Sequence, residues 1–336
     1  MYSTKTKTLI VYLYLAGLVE GFENHQSING CTFVVHPVCP DLSIDFYLYT
    51  RANLHEPQLV SAENVTESHF VKARPNKFIL HGFNSNFKLG SLQNIKTELL
   101  MQMDVNVWMI DYSELSSGPM KCYLAAVYNL PSVAKCAALL VRKIIDISEV
   151  KDPKEVMHLI GFSLGGQLTS QIAEQMKPFS LPRITALDPA LPLFYSSHFN
   201  KRLTRNDADF VDVIHTNAMI QGQLEPCGDV DFYVNGGLAQ PACDNSSNPI
   251  NCNHHMAPVY FAESVRSKVG FWAWPCSSLY DYLIRKCPPR GDHQLMGEFV
   301  NEKARGIYVL KTNGVSPYAQ GNWTADDTRT KRLNDN

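Results

Sequence analysis

The sequence predicts an α/β fold: a mostly parallel central sheet with helices on both faces, in a single domain. Three observations predict it. Strand-like and helix-like segments alternate over most of the 336 residues. The strand-like runs are largely apolar and do not alternate in polarity, as expected of strands buried on both faces. One such run ends in Gly161-Phe162-Ser163-Leu164-Gly165, and behind it Leu168, Ile172, Ala173 and Met176 repeat at helical spacing.

Residues 44–50 read as a first strand and 77–80 as a second, which ends in His81-Gly82-Phe83-Asn84. A helix follows over Leu92, Ile95, Leu99 and Met103. Residues 105–110 form a buried strand that ends at Asp111-Tyr112. A long helix covers 133–147, with Ala137, Leu140, Val141, Ile144 and Ile145 facing inward. The strand and helix around Ser163 come next, then strands at 183–187 and 210–214. The stretch from 312 to 336 is a polar tail that promises little order.

The first residues read differently. Lys5 and Lys7 precede an apolar run at 9–19, too short to span a bilayer, and Ala16, Gly17 and Gly21 offer small residues for cleavage. Residues 1–21 are therefore expected to be a secretory signal peptide, leaving 22–336 as the mature domain. Asn64, Asn245 and Asn322 each open an Asn-X-Ser/Thr glycosylation acceptor, in keeping with secretion. Nine cysteines in such a chain imply disulfides, and no C-x-x-C pair supports a zinc site. The net charge of −2, without basic clusters, gives no support to nucleic-acid binding.

Chemistry in a parallel sheet gathers at the C-terminal strand ends. G-x-S-x-G between strand and helix is a nucleophile elbow, in which the serine hydroxyl stands exposed on a strained turn. The Leu164 amide lies beside it at a helix N-terminus. Gly82 lets the backbone at the end of its own strand approach a bound carbonyl, so the Phe83 amide could join that of Leu164 in holding an oxyanion. His81 more naturally shapes this loop, because the chain order of α/β-hydrolases puts the histidine last. Asp188 ends the strand after the elbow, 25 positions past Ser163, and is the candidate acid. Asp207, Asp209 and Asp212 are its rivals. The candidate bases are His198, His215, His254, His255 and His293. His215 suits a satisfied core histidine, and the residues alone leave His254 and His255 level.

The chain resembles the pancreatic-lipase family of animal lipases, and within it the secreted phospholipase A1 branch of insects and venoms. The resemblance runs through Leu80-His81-Gly82-Phe83, the elbow, Phe210-Val211-Asp212-Val213-Ile214-His215-Thr216, Cys252-Asn253-His254 and Tyr260-Phe261-Ala262-Glu263-Ser264. It implies the triad Ser163–Asp188–His254. It also implies a lid closed by Cys243 and Cys252, a late disulfide Cys276–Cys287, and a bridge from Cys39 to Cys122. Cys136 is then expected to be a buried free thiol, with Cys31 and Cys227 unassigned.

The departures from the family shape the rest. The lid has only eight residues between its cysteines, and the sequence stops before the family's C-terminal β-sandwich, so colipase is not expected. Met256 stands where the family has arginine. Thr204 and Phe199 interrupt its calcium pattern around Arg202 and Asp207, so neither a metal nor another cofactor is expected. The expected function is a secreted, monomeric lipid-ester hydrolase cleaving the sn-1 ester of phospholipids, with no sharp activation when substrate aggregates. A neutral triacylglycerol lipase and a non-catalytic lipid carrier resembling yolk proteins are the alternatives.

Overall fold

Every residue of Met157–Phe162 and of Leu181–Leu187 is buried, as strands covered on both faces must be. The computed structural model describes residues 24–152, 155–195, 201–289 and 291–322; the expected signal peptide lies outside them. The elements begin with β1 (His25–Ile28), β2 (Cys31–Val34), β3 (Asp45–Tyr49), β4 (Gln58–Leu59) and β5 (Asn76–Leu80). Helix α1 (Gly90–Gln102), β6 (Asn106–Asp111), the short α2 (Ser113–Ser116) and the long α3 (Tyr123–Ile147) follow. Then come β7 (Met157–Phe162), α4 (Leu164–Met176), β8 (Leu181–Leu187), β9 (Ala208–His215) and β10 (Val230–Val234). The chain continues through α5 (Pro249–Arg266), β11 (Phe271–Cys276), α6 (Leu279–Leu283), β12 (Gln294–Met296) and β13 (Gly306–Leu310).

Eleven strands form the main sheet in the order β12-β11-β13-β10-β9-β8-β7-β5-β6-β3-β4. The stretch from β13 to β6 is parallel, and the strands beyond it at each edge are antiparallel. Helices α3 and α4 cover one face, and α1 and α5 cover the other. In register, Leu80 pairs with Gly161 and Phe162 with Leu187, so β5, β7 and β8 end side by side.

Several elements differ from the sequence expectation. Helix α3 starts ten residues earlier than expected, at Tyr123, and runs through Pro131. Proline normally signals a helix boundary, but Ala126, Val127 and Leu130 before it and Val133 and Ala134 after it all bury in one core, which outweighs the missing amide. The β1–β2 hairpin was not anticipated, although Asn29-Gly30, both at positive φ, is the usual chemistry of a two-residue hairpin turn. The described part of the tail, 312–322, is ordered: Thr312 is buried, and the Tyr318 and Ala319 amides donate to the Glu263 carboxylate at 3.0 and 2.8 Å.

Four disulfides are present: Cys31–Cys122, Cys39–Cys136, Cys243–Cys252 and Cys276–Cys287. The expected Cys39–Cys122 bridge is therefore wrong, and Cys136 is not a free thiol. The N-terminal segment runs along α3, pinned by the Asn129 side chain, which accepts from the Val34 amide and donates to the Thr32 carbonyl. From Cys122 to Cys136 the helix rises about 21 Å at 1.5 Å per residue. Eight extended residues, the spacing of Cys31 and Cys39, cover roughly 26 Å. The segment runs in the direction of the helix, since Asn129 meets Thr32 and Val34 while Lys135 Nζ donates to the Pro37 carbonyl at 3.2 Å, so the two pairs form in sequence order. Cys227 is left as the free, buried thiol among the described residues.

A buried polar chain crosses the early part of the strands. Lys77 Nζ meets Glu298 Oε1 at 2.5 Å and His158 Nδ1 at 3.0 Å. His158 Nε2 lies 2.8 Å from Thr185 Oγ1, which also donates to Asp212 Oδ1. Arg183 Nε donates to the same carboxylate oxygen at 2.9 Å. Burial, with the charges of Lys77 and Arg183, holds the His158 pKa well below its usual value, so its ring is neutral and accepts from the lysine. Replacing Arg183 by methionine would strand Asp212 as a buried, unpaired carboxylate. The expected cost is about 3–5 kcal/mol of stability, read as a lower urea midpoint with the slope unchanged.

Candidate active site

Close backbone contacts shape the turn after β7. A Cβ on Gly161 would collide with the Gly165 carbonyl, and one on Gly165 would lie 2.5 Å from the carbonyl oxygens of Leu80 and His81. Only glycine permits strand and helix to approach so closely. Ser163 between them has φ 55° and ψ −118°, a conformation an L-residue holds at a cost. Its amide donates to Leu187, and its carbonyl accepts from Gly166 and Ala190, so the strained turn is fixed from three sides.

Asp188 directly follows β8 and is fully buried. One carboxylate oxygen accepts from the Thr216 and Asn217 amides at 2.8 and 3.0 Å. The other lies 2.5 Å from His254 Nδ1. Gly222 clears room for the group, since a Cβ there would fall 2.6 Å from Oδ2. Sequence reasoning missed these supports, because backbone amides leave no mark in the residue pattern. His254 sits in the second turn of α5, with its ring centroid 4.7 Å from that of Phe162.

Ser163 and His254 line one cavity of about 410 Å³, together with Gly82, Phe83, Met120 and Tyr123. A Cβ on Gly82 would lie 2.9 Å from Ser163 Cβ, which brings the Phe83 backbone against the serine. The Leu164 amide is the first of α4, where no helical partner exists for it. His81 does shape this loop: Nδ1 donates to the Gly82 carbonyl at 2.8 Å, Nε2 accepts from the Tyr112 amide, and its ring stacks on Tyr112.

The rival residues have other partners. Asp212 holds Arg183, Asp209 accepts from the Ser180 hydroxyl, and Asp207 caps a short helical turn with Thr204 and pairs with Lys201 at 3.1 Å. Arg202 pairs with Glu225. His215 Nε2 meets Asp231 at 2.9 Å while its ring stacks on Tyr233, as a satisfied core histidine would. His293 meets Asn322. His198 and Phe199 lie outside the described residues. His255 also lines the cavity, but burial, with His254 beside it, pushes its pKa down to about 4, and no carboxylate among the described residues orients it. Met256 packs in the core beneath. The loop closed by Cys243 and Cys252 is helical in its last three residues, because α5 begins at Pro249, where the Asn248 side chain accepts from the Asn251 amide.

A profile described as lipase matches residues 29–318. The chain belongs to the lipase family. Human pancreatic lipase-related protein 3 is 31% identical over 310 residues, covering 82% of this chain and 64% of that protein. Pig pancreatic triacylglycerol lipase is also 31% identical, over 82% of this chain and 64% of its own length. Rabbit lipase member H is 31% identical over 79% of this chain and 58% of its length. The chain thus spans somewhat less than two thirds of these relatives. The mostly parallel sheet, with the strained Ser163 turn between β7 and α4, is the arrangement of an α/β-hydrolase. Among solved structures, the α/β-hydrolase MGS-M1 from a deep-sea metagenome superposes with a TM-score of 0.35, at 18% identity, over 55% of this chain and 68% of that one.

Proposed function

We propose that this lipase-family chain is a secreted hydrolase of lipid carboxylic esters, acting on the sn-1 ester of glycerophospholipids. The observation that carries the reading is the Asp188–His254 contact at 2.5 Å beside a cavity that also holds strained Ser163. In this mechanism Ser163 Oγ attacks the acyl carbonyl carbon while His254 Nε2 takes its proton. Asp188 holds Nδ1–H and stabilises the imidazolium. The Phe83 and Leu164 amides hold the oxyanion, each contributing on the order of 3 kcal/mol to the lowered barrier. His254 returns the proton to the departing lysophospholipid oxygen. Water, deprotonated by the same imidazole, then releases the fatty acid and restores Ser163. No cofactor enters these steps, and the reading includes a monomer acting without colipase.

The choice of phospholipid rests on the loop between Cys243 and Cys252. A single helical turn cannot form an apolar cover over the cavity mouth. Asn245, Ser246, Ser247 and Asn248 keep the loop polar, and exposed Asn245 is a proposed glycan site, as is exposed Asn64. The polar residues at the start of this loop leave room for a charged head group. Pig pancreatic triacylglycerol lipase among the relatives keeps a neutral lipase as the second reading. Purified protein given phosphatidylcholine or triolein decides between them: faster release of the sn-1 fatty acid from phosphatidylcholine, unaffected by a calcium chelator, is expected. Rapid triolein cleavage with negligible phospholipid turnover would move the chain to the second reading.

The assignment of the base is tested separately. His254→Ala should lose activity by several orders of magnitude, and His255→Ala less than about tenfold, since only the former meets a carboxylate. The opposite pattern in the same assay would transfer the role to His255.

A further inference from the structure

The buried supports of the Asp188–His254 contact converge on Gln240, a residue 1% exposed that lies between β10 and α5. Its Nε2 donates to the carbonyls of Thr216 and Val234, both at 2.9 Å. Its Oε1 accepts from Asn235 Nδ2 at 2.8 Å and from the Tyr260 hydroxyl at 3.2 Å. Its backbone amide donates to Asn253 Oδ1 at 2.8 Å. These partners fix which end of the side chain is nitrogen, because a flipped amide would set its oxygen against two carbonyls.

Two of these contacts lead to the acid and to the base. The Thr216 carbonyl and the Asn217 amide are the two ends of one peptide group, and that amide donates to Asp188 Oδ1 at 3.0 Å. A donor on the carbonyl polarises the peptide and strengthens the bond its N–H makes. On the other side, Asn253 directly precedes His254 in α5. Successive helical residues point about 100° apart, so holding Asn253 also holds the face on which His254 stands. The side chain of Gln240 therefore grips the loop of the acid, and its backbone grips the helix of the base. Between them Asp188 Oδ2 meets His254 Nδ1 at 2.5 Å.

We propose that Gln240 is a positioning residue for hydrolysis: it sets the Asp188 carboxylate against the His254 ring by tying the loop of one to the helix of the other. The proposal rests on the Ser163–Asp188–His254 reading of the site. A buried glutamine with its hydrogen bonds satisfied is also what stability alone would select. The two roles differ in one respect. A loss of stability is indifferent to Asp188, whereas a loss of positioning acts through it, so a double-mutant cycle separates them.

Gln240→Met keeps the length of the side chain and removes its polar ends. On a soluble butyrate ester, kcat per folded molecule should fall between about tenfold and a hundredfold, with KM within about twofold. The folded fraction is read from circular dichroism. In an Asp188→Asn background the same change should cost less than about threefold, because the contact it serves is already lost. Gln240→Glu keeps the shape and tests the donor by pH. A neutral carboxyl can donate to the Thr216 carbonyl, and a carboxylate cannot. Burial beside two carbonyls raises the pKa of such a group, so kcat relative to the parent should fall at least about threefold between about pH 6 and pH 9. Equal losses from Gln240→Met in the two backgrounds, or native kcat in the folded variant, would overturn the proposal. If Gln240→Met does not fold, Gln240→Glu decides, and a relative kcat unchanged over that pH range would overturn it. Undiminished turnover in Asp188→Asn alone would sink the triad reading, and the proposal with it.

Discussion

Ser163→Ala should abolish ester hydrolysis, by on the order of a millionfold in kcat, while leaving a folded protein. The side chain contributes little to the architecture of the turn. That architecture comes from the Ser163 backbone, held by Leu187, Gly166 and Ala190, and from the glycines at 161 and 165. Alanine at φ 55° meets the same backbone strain as serine, so stability should change by less than about 1 kcal/mol. Ser85 and Tyr123 also bring hydroxyls to this cavity, but neither sits on the strained turn between β7 and α4. The measurement is fatty-acid release from phospholipid and from a soluble ester, with circular dichroism and a melting curve on the same preparation. Wild-type-like turnover in the folded variant would end the proposed mechanism.

The parts of this site that were legible in the sequence are those written in contiguous residues. Gly161, Ser163 and Gly165 each have a local backbone reason to be there, and Asp188 follows from one strand being the parallel neighbour of another. The choice between His254 and His255 was not legible from the residues alone. Successive helical residues point about 100° apart, and which of them faces Asp188 depends on how α5 packs on the sheet and α1. Even the helix was hidden, since Pro249, Pro258 and a run of Asn and His between them argue against one by local propensity. Strands β11, β12 and β13, at one end of the sheet, were missed for a related reason: they are short, and their pairing is set by contacts distant in sequence. The disulfide error has the same origin. Which cysteine meets Cys122 is decided by the direction in which the N-terminal segment runs along α3, and that direction is a tertiary fact.

Asp188→Asn is the subtler of the two severe losses, because it keeps the shape and removes only a charge. In the native protein the carboxylate uses both oxygens: Oδ1 accepts from the Thr216 and Asn217 amides, and Oδ2 lies against His254 Nδ1. An asparagine in this pocket has one acceptor and one donor to distribute. Its oxygen must face the two backbone amides, since turning the NH₂ toward them would set donor against donor twice in a fully buried site. The NH₂ group is then aimed at His254 Nδ1, which has to accept. That fixes the proton of the neutral imidazole on Nε2, the nitrogen assigned to take the serine proton, so the base is occupied before the reaction begins. The imidazolium of the transition state also loses its counter-charge. Together these should lower kcat by about ten-thousandfold near neutral pH, with KM little changed and with a smaller stability loss than Asp188→Ala, which leaves both amides unpaired. The decisive comparison is kcat and KM for Asp188→Asn beside its urea midpoint. A variant that retained more than a tenth of native turnover would show that the tautomer of His254 is not governed by Asp188, and the acid would have to be sought elsewhere.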